Sequence, residues 1–225
     1  MSSRKYQESA GGIAAITAIL LLSACGGGGG VEPPAPAPIP LPQPQPIPDP
    51  TPAPAPQPTP EPALAPTYTN LVSGAPNGLA RWADGSGTGA PIAGVECMGT
   101  IASHNHSLIS IYQDGVRLAV PASVGLRGCT YELHTHDRSG VVHVEPNVAR
   151  NLTLGQFFAV WGQPLTRSAV AGISGPLRFY VISGEVLTRF DGDPASITFG
   201  AHKEIVIVAG TAPAVLPKYR WPSTL

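Results

Sequence analysis

The chain has 225 residues, of which 27 are Pro and 26 Gly, so nearly a quarter of it punctuates the backbone and the foldable part is shorter than the length implies. Charged residues make up only 12%, the formal net charge is -1 and Lys occurs three times. No basic surface exists to hold a nucleic acid against salt, which excludes nucleic-acid binding.

Arg4 and Lys5 precede an apolar run from Ala10 to Ala24 that ends in Leu22-Ser23-Ala24-Cys25. A basic start, a short apolar run and small residues before a cut predict an export signal over 1–24. The run is too short for a lasting membrane span, which needs about 20 apolar residues in a helix. Leu-Ser-Ala-Cys resembles the lipobox of bacterial lipoproteins. That resemblance implies cleavage before Cys25, acylation of its thiol and new amino group, and anchoring to a membrane. Gly26 after the Cys, where Asp would retain such a protein at the inner membrane, implies the cell envelope and passage to the outer membrane.

Residues 25–32 form a Gly-rich swivel after the lipidated Cys, and from 33 to 66 almost every second residue is Pro. Pro fixes φ and removes the amide donor, so a disordered, polyproline-like linker is expected. At about 3.1 Å per residue it reaches roughly 100 Å.

Residues 67–225 are long enough for one domain with its own core. Alternating or β-branched runs predict strands at Ser107–Tyr112, Val116–Val120, Thr130–His136, Val141–Glu145, Leu177–Ile182, Val186–Phe190 and Ile205–Val208. Asp114-Gly115 and Asp191-Gly192 read as hairpin turns. The expected fold is mainly β, a single β-sandwich or small barrel with one short helix. That helix is marked by Thr153 and Gln156 as a capping box, by Leu154, Phe157, Phe158 and Trp161 on one stripe, and by Gly162 as its stop. The aromatics belong to the core.

All six His fall in this domain, and five fall within forty residues: His104, His106, His134, His136 and His143. Alternate residues of a strand share a face, so the two His-x-His pairs each present two imidazoles together. Imidazoles from adjacent strands suit zinc or copper without any thiolate. Asp137 to Gly140 is a turn signal between two alternating strands. If Asp137 pairs with Gly140, His134 faces His143 and Glu132 faces Glu145, which puts three imidazoles and two carboxylates on one face and Tyr131, Leu133, Val142 and Val144 on the other. A bulge at Gly140 shifts the pairing by one residue and carries His143 away. His202, isolated downstream, is expected to pack or cap elsewhere. His104-Asn105-His106 is no HNH nuclease motif.

With Cys25 lipidated, Cys97 and Cys129 remain. In an oxidising envelope they most simply form a disulfide around the first His pair. The competing reading makes them thiolate ligands of a soft metal, beside Met98.

The run from Cys129 through Leu133-His-Thr-His-Asp137 to Glu145, followed by Thr153-Leu-Gly-Gln-Phe-Phe-Ala-Val-Trp-Gly162, resembles an uncharacterised family of exported bacterial proteins from about Cys97 to Val208. The resemblance implies no activity. Three functions follow from the residues. The first is a lipid-tethered module that binds a divalent transition metal, copper or zinc, through the five His, with Glu132 and Glu145 as ligands or as partners that fix the imidazole tautomers. The second is a metalloenzyme with the same His and a Glu as acid/base; no nucleophile elbow or phosphate loop supports another chemistry. The third is a structural envelope lipoprotein.

Overall fold

A computed structural model describes residues 60–225; the signal segment, Cys25 and the Pro-rich run to residue 59 lie outside the described residues. The described residues are mainly β with one short α-helix. Twelve strands are β1 (Ala63–Asn70), β2 (Leu79–Ala80), β3 (Asn105–Gln113), β4 (Val116–Ala119), β5 (Leu133–His134), β6 (Val141–Val144), β7 (Ala169–Val170), β8 (Ile173–Ser174), β9 (Leu177–Ser183), β10 (Val186–Phe190), β11 (Glu204–Ala209) and β12 (Val215–Arg220). The helix α1 (Leu154–Trp161) lies between β6 and β7, and a 3-10 turn covers Pro194–Ser196. No helix among the described residues is long and apolar enough to cross a membrane.

Eight strands form one mixed sheet in the order β10-β9-β11-β3-β4-β2, with β6 also on β3 and β5 on β6. β3 and β11 are its centre. They run parallel, Leu108 opposite Glu204 to Gln113 opposite Ala209, and nearly every residue of both is buried, as expected of strands covered on both faces. The free edge of β3 is shared: β6 takes Asn105–Leu108 and β4 takes Ile111–Gln113. One face packs Ile109, Ile111, Leu133, Val142 and Val144 against Phe157, Phe158 and Trp161 of α1. On the other face Tyr112, Tyr180, Val206 and Val208 meet Leu64 and Leu216 of the parallel β1–β12 pair.

Local signals set α1. Thr153 and Gln156 satisfy each other's backbone amides, and Gly162 ends the helix at φ 75°. Asp114-Gly115 turns β3 into β4. One expectation is corrected. Asp191-Gly192 is not a hairpin turn: Ser183 pairs with Val186, so Gly184-Glu185 joins β9 to β10, while Asp191-Gly192 leads to the 3-10 turn. β1 starts at Ala63 and takes in Pro66. The missing proline amide is tolerated at the break in the β1–β12 register between Leu64 and Tyr68.

Gly140 sits where β6 hands the edge of β3 over to β4. Its carbonyl accepts from the Ile109 amide at 2.9 Å; its φ is +90°, and a Cβ there would stand 2.5 Å from the Ile109 carbonyl oxygen. Gly140→Ala combines left-handed strain with a backbone clash, so a loss of more than about 2 kcal/mol is expected from urea unfolding.

Glu204 is a buried carboxylate that the sequence reading did not single out. It accepts from the Ser110 hydroxyl, whose oxygen accepts from Arg117 Nη2 at 2.7 Å. Burial pushes its pKa up to about 7. A raised folded pKa means that Glu204 favours the fold below about 4.5 and loses that contribution as pH rises through about 7. Glu204→Gln should therefore remove a decline in stability across that window, on the order of 3 kcal/mol, measured as urea midpoints at pH 5 and pH 8.

Candidate metal centre

The turn between β5 and β6 decides the site. Asp137 Oδ1 accepts from the Ser139 amide at 2.7 Å and its Oδ2 accepts from the Gly74 amide at 2.6 Å. The chain turns within Asp137–Gly140 and enters β6 without a shift, so His134 pairs with His143 and Leu133 with Val144. Of the two registers open to the sequence, this is the one that gathers the His. The ladder continues outward, with the Glu145 amide donating to the Glu132 carbonyl at 2.8 Å. Thr135, fully buried between His134 and His136, donates to the Pro121 carbonyl and accepts from the Val124 amide. Its inward turn sends His134 and His136 to the opposite side.

On the far side of β6, His106 of β3 pairs with the same His143. The His202 amide donates to the His106 carbonyl at 2.8 Å and fixes that stretch of β3 from its other edge. His106, His143 and His134 thus stand in a row across β3, β6 and β5, with His104 and His136 at diagonal corners. The His143 ring centroid is 4.4 Å from those of His106 and His136, 4.9 Å from that of His134 and 5.6 Å from that of His104. The Nε2 atoms of His104 and His106 approach to 3.0 Å, and those of His134 and His136 to 3.2 Å. Two groups of three, His104/His106/His143 and His134/His136/His143, each bring one ring nitrogen per residue within 4.8 Å of the others and could hold a metal ion.

The burial is graded. His106 and His134 are buried, His143 is half-buried and His104 and His136 are exposed, which leaves an approach from solvent. His134 Nδ1 donates to the Tyr131 carbonyl at 2.8 Å, which fixes the tautomer and leaves Nε2 free to coordinate. His143 Nδ1 is buried with no hydrogen-bond partner; the nearest carboxylate oxygen is Glu145 Oε1 at 3.6 Å. Burial, followed by the His134, His106, His136 and His104 rings, pushes the His143 pKa down to about 3. Burial likewise lowers those of His106 and His134. Neutral imidazole is the form that binds metal.

The two carboxylates part company. Glu145 belongs to the centre, its Oε1 lying 3.0 Å from His104 Nε2. Glu132, expected to share that face chemically, is committed elsewhere: it accepts from the Glu96 amide at 2.9 Å and the Asn147 amide at 2.7 Å, and pairs with Arg150. These contacts hold it as a structural clamp between the Glu96 and Asn147 backbone and Arg150. His202 stands apart, stacked on Trp221 at 4.8 Å and donating to the Leu225 carbonyl. Cys97 and Cys129 form a disulfide with Cα atoms 5.8 Å apart, so the thiolate-ligand reading falls away. Their link encloses His104 and His106 in one loop. Its sequence separation of 32 makes the chain-entropy contribution about 3 to 4 kcal/mol.

No protein-family model matches the chain, and comparison with curated proteins and with solved structures gives no match.

A His whose folded pKa is lowered favours the fold fully above its unfolded value and loses that contribution as pH falls through the folded one. Metal-free protein should therefore lose stability from about pH 6.5 downward, by up to about 1.4 kcal/mol per pH unit for each resisting ring. In His143→Gln the slope between pH 6.5 and 4, read from urea midpoints in chelator, should be shallower; an unchanged slope would mean that His143 is not held neutral.

Proposed function

We propose that this protein is a metal-binding module of the bacterial cell envelope, anchored through acylated Cys25 and held off the membrane by its Pro-rich run. The observation that carries this reading is the convergence of five imidazoles, three on the adjacent strands β3, β6 and β5 and two just outside them, around a buried, unpartnered His143 nitrogen. An all-imidazole donor set with one carboxylate beside it suits copper or zinc, and poorly suits calcium or magnesium, which take oxygen ligands. A hydrophobic backing of Leu133, Val142 and Val144 holds the ligand strands rigid, as a site of stable affinity requires.

A metal-dependent enzyme is the second reading, and one observation favours it: Glu145 stands beside the rings with an oxygen 3.0 Å from His104, where it could exchange a proton with a metal-held water. Capture ranks first because the five imidazoles carry it directly, whereas the enzyme reading rests on Glu145 alone.

The test is metal content. Full chain purified without a His tag, loaded with zinc or copper and freed of excess ion, should retain stoichiometric metal by elemental analysis, and the His134/His136/His143 triple Ala variant should retain less than half. Full retention in that variant, or none in the wild type, would overturn the reading. Glu145→Gln should weaken binding about 10- to 100-fold without loss of fold, whereas Glu132→Gln should cost about 3 kcal/mol of stability by stripping a partner from Arg150 and leave affinity per folded molecule unchanged.

A further inference from the structure

The five His divide into two groups of three that have His143 in common. Strand order explains the division. β6 lies between β3 and β5, so His104 and His106 reach His143 from one flank and His134 and His136 from the other. Register then separates the groups along the strand as well. His106 and His134 both stand level with His143. Antiparallel pairing places His104, two residues before His106, toward the Glu145 end of β6, and His136, two residues beyond His134, toward the Val141 end.

One imidazole has two nitrogens, which point away from each other in the ring plane. His143 Nδ1 looks toward the Glu145 end, 3.6 Å from Glu145 Oε1, and that oxygen is 3.0 Å from His104 Nε2. The first group is therefore His104 Nε2, His106 Nε2 and His143 Nδ1. In the second group His134 can offer only Nε2, its Nδ1 being bonded to the Tyr131 carbonyl, and this Nε2 is already 3.2 Å from His136 Nε2. With Nδ1 of His143 on the Glu145 side, the ring atom that serves the second group without sharing a donor is Nε2.

Deepening the metal-binding reading, on which it rests, we infer that the centre holds two transition-metal ions per chain, bridged by the His143 ring, with Glu145 beside the first. Coordination through both nitrogens displaces the one proton of the neutral ring to solvent, so the second ion enters with release of that proton while no bond within the protein changes. Two such ions are electronically coupled through the ring, and loss of the bridge harms both positions, whereas loss of either outer pair harms one.

The probe is Cu²⁺ added to the untagged full chain, with bound copper counted by native mass spectrometry and followed by electron paramagnetic resonance. The wild type should bind two ions, and the signal of the first should weaken as the second enters. His104→Ala/His106→Ala should bind one ion with an ordinary isolated-copper spectrum, and so should His134→Ala/His136→Ala; His143→Gln should hold neither at concentrations that saturate the wild type. The two pair variants keep the test sound if His143→Gln is poorly folded. One ion in the wild type, lost equally in either pair variant, would overturn the shared centre while leaving the capture reading intact. Two ions with full, additive signals would overturn the bridge. No bound copper at all, with none found for Zn²⁺, would overturn both readings.

Discussion

The site depends on a two-sided register constraint on a four-residue strand. β6 must set His143 opposite His106 on one edge and opposite His134 on the other, and a slip of one residue on either side would turn the ring to the wrong face of the sheet. Three contacts hold it: the Asp137 carboxylate caps the turn, Gly140 lets its backbone come against Ile109, and Val142 and Val144 sink into the core beneath α1. The alternation that buries those valines is the same alternation that lifts His143 out on the opposite face. Packing energy and the geometry of the His cluster are thus set by one pattern.

The surroundings of the His keep them ready to bind. A row of imidazoles on neighbouring strands would repel if protonated, and burial makes protonation more costly still. Among the described residues, Glu145 is the one carboxylate paired with the cluster; Glu132, which could have balanced it, is tied to Arg150 and two backbone amides. Burial lowers the pKa values of His106, His134 and His143, and the buried His143 Nδ1 has no hydrogen-bond partner. Such an arrangement is costly as a purely structural device, since the His143 ring loses hydration at a nitrogen that gains no partner. A cation would relieve that cost.

Much of this was legible in the sequence because it is local. The capping box at Thr153 and Gln156, the Asp114-Gly115 turn, the alternation through 131–136 and 141–145 and the pairing of Cys97 with Cys129 all follow from near neighbours or from elimination. What escaped was non-local. The contribution of His106 to the same row as His143 requires β3 to lie beside β6, and nothing within either segment states that pairing. The division into two groups around His143 follows from that strand order and was likewise hidden. Glu132 was read from its strand phase alone, whereas Arg150 and the Glu96 amide, folded over it from elsewhere, decide its role. β1 and β12 carry Pro66 and Pro217 and so lacked a strand signature, and Gly184-Glu185 was overshadowed as a turn by Asp191-Gly192.

The most direct test of the account is the identity of the atoms around the metal. X-ray absorption spectroscopy of zinc- or copper-loaded full chain should give a first shell of nitrogen and oxygen only, followed by the outer-shell scattering of several imidazole rings. A sulfur shell, or a first shell without imidazole scattering, would contradict it.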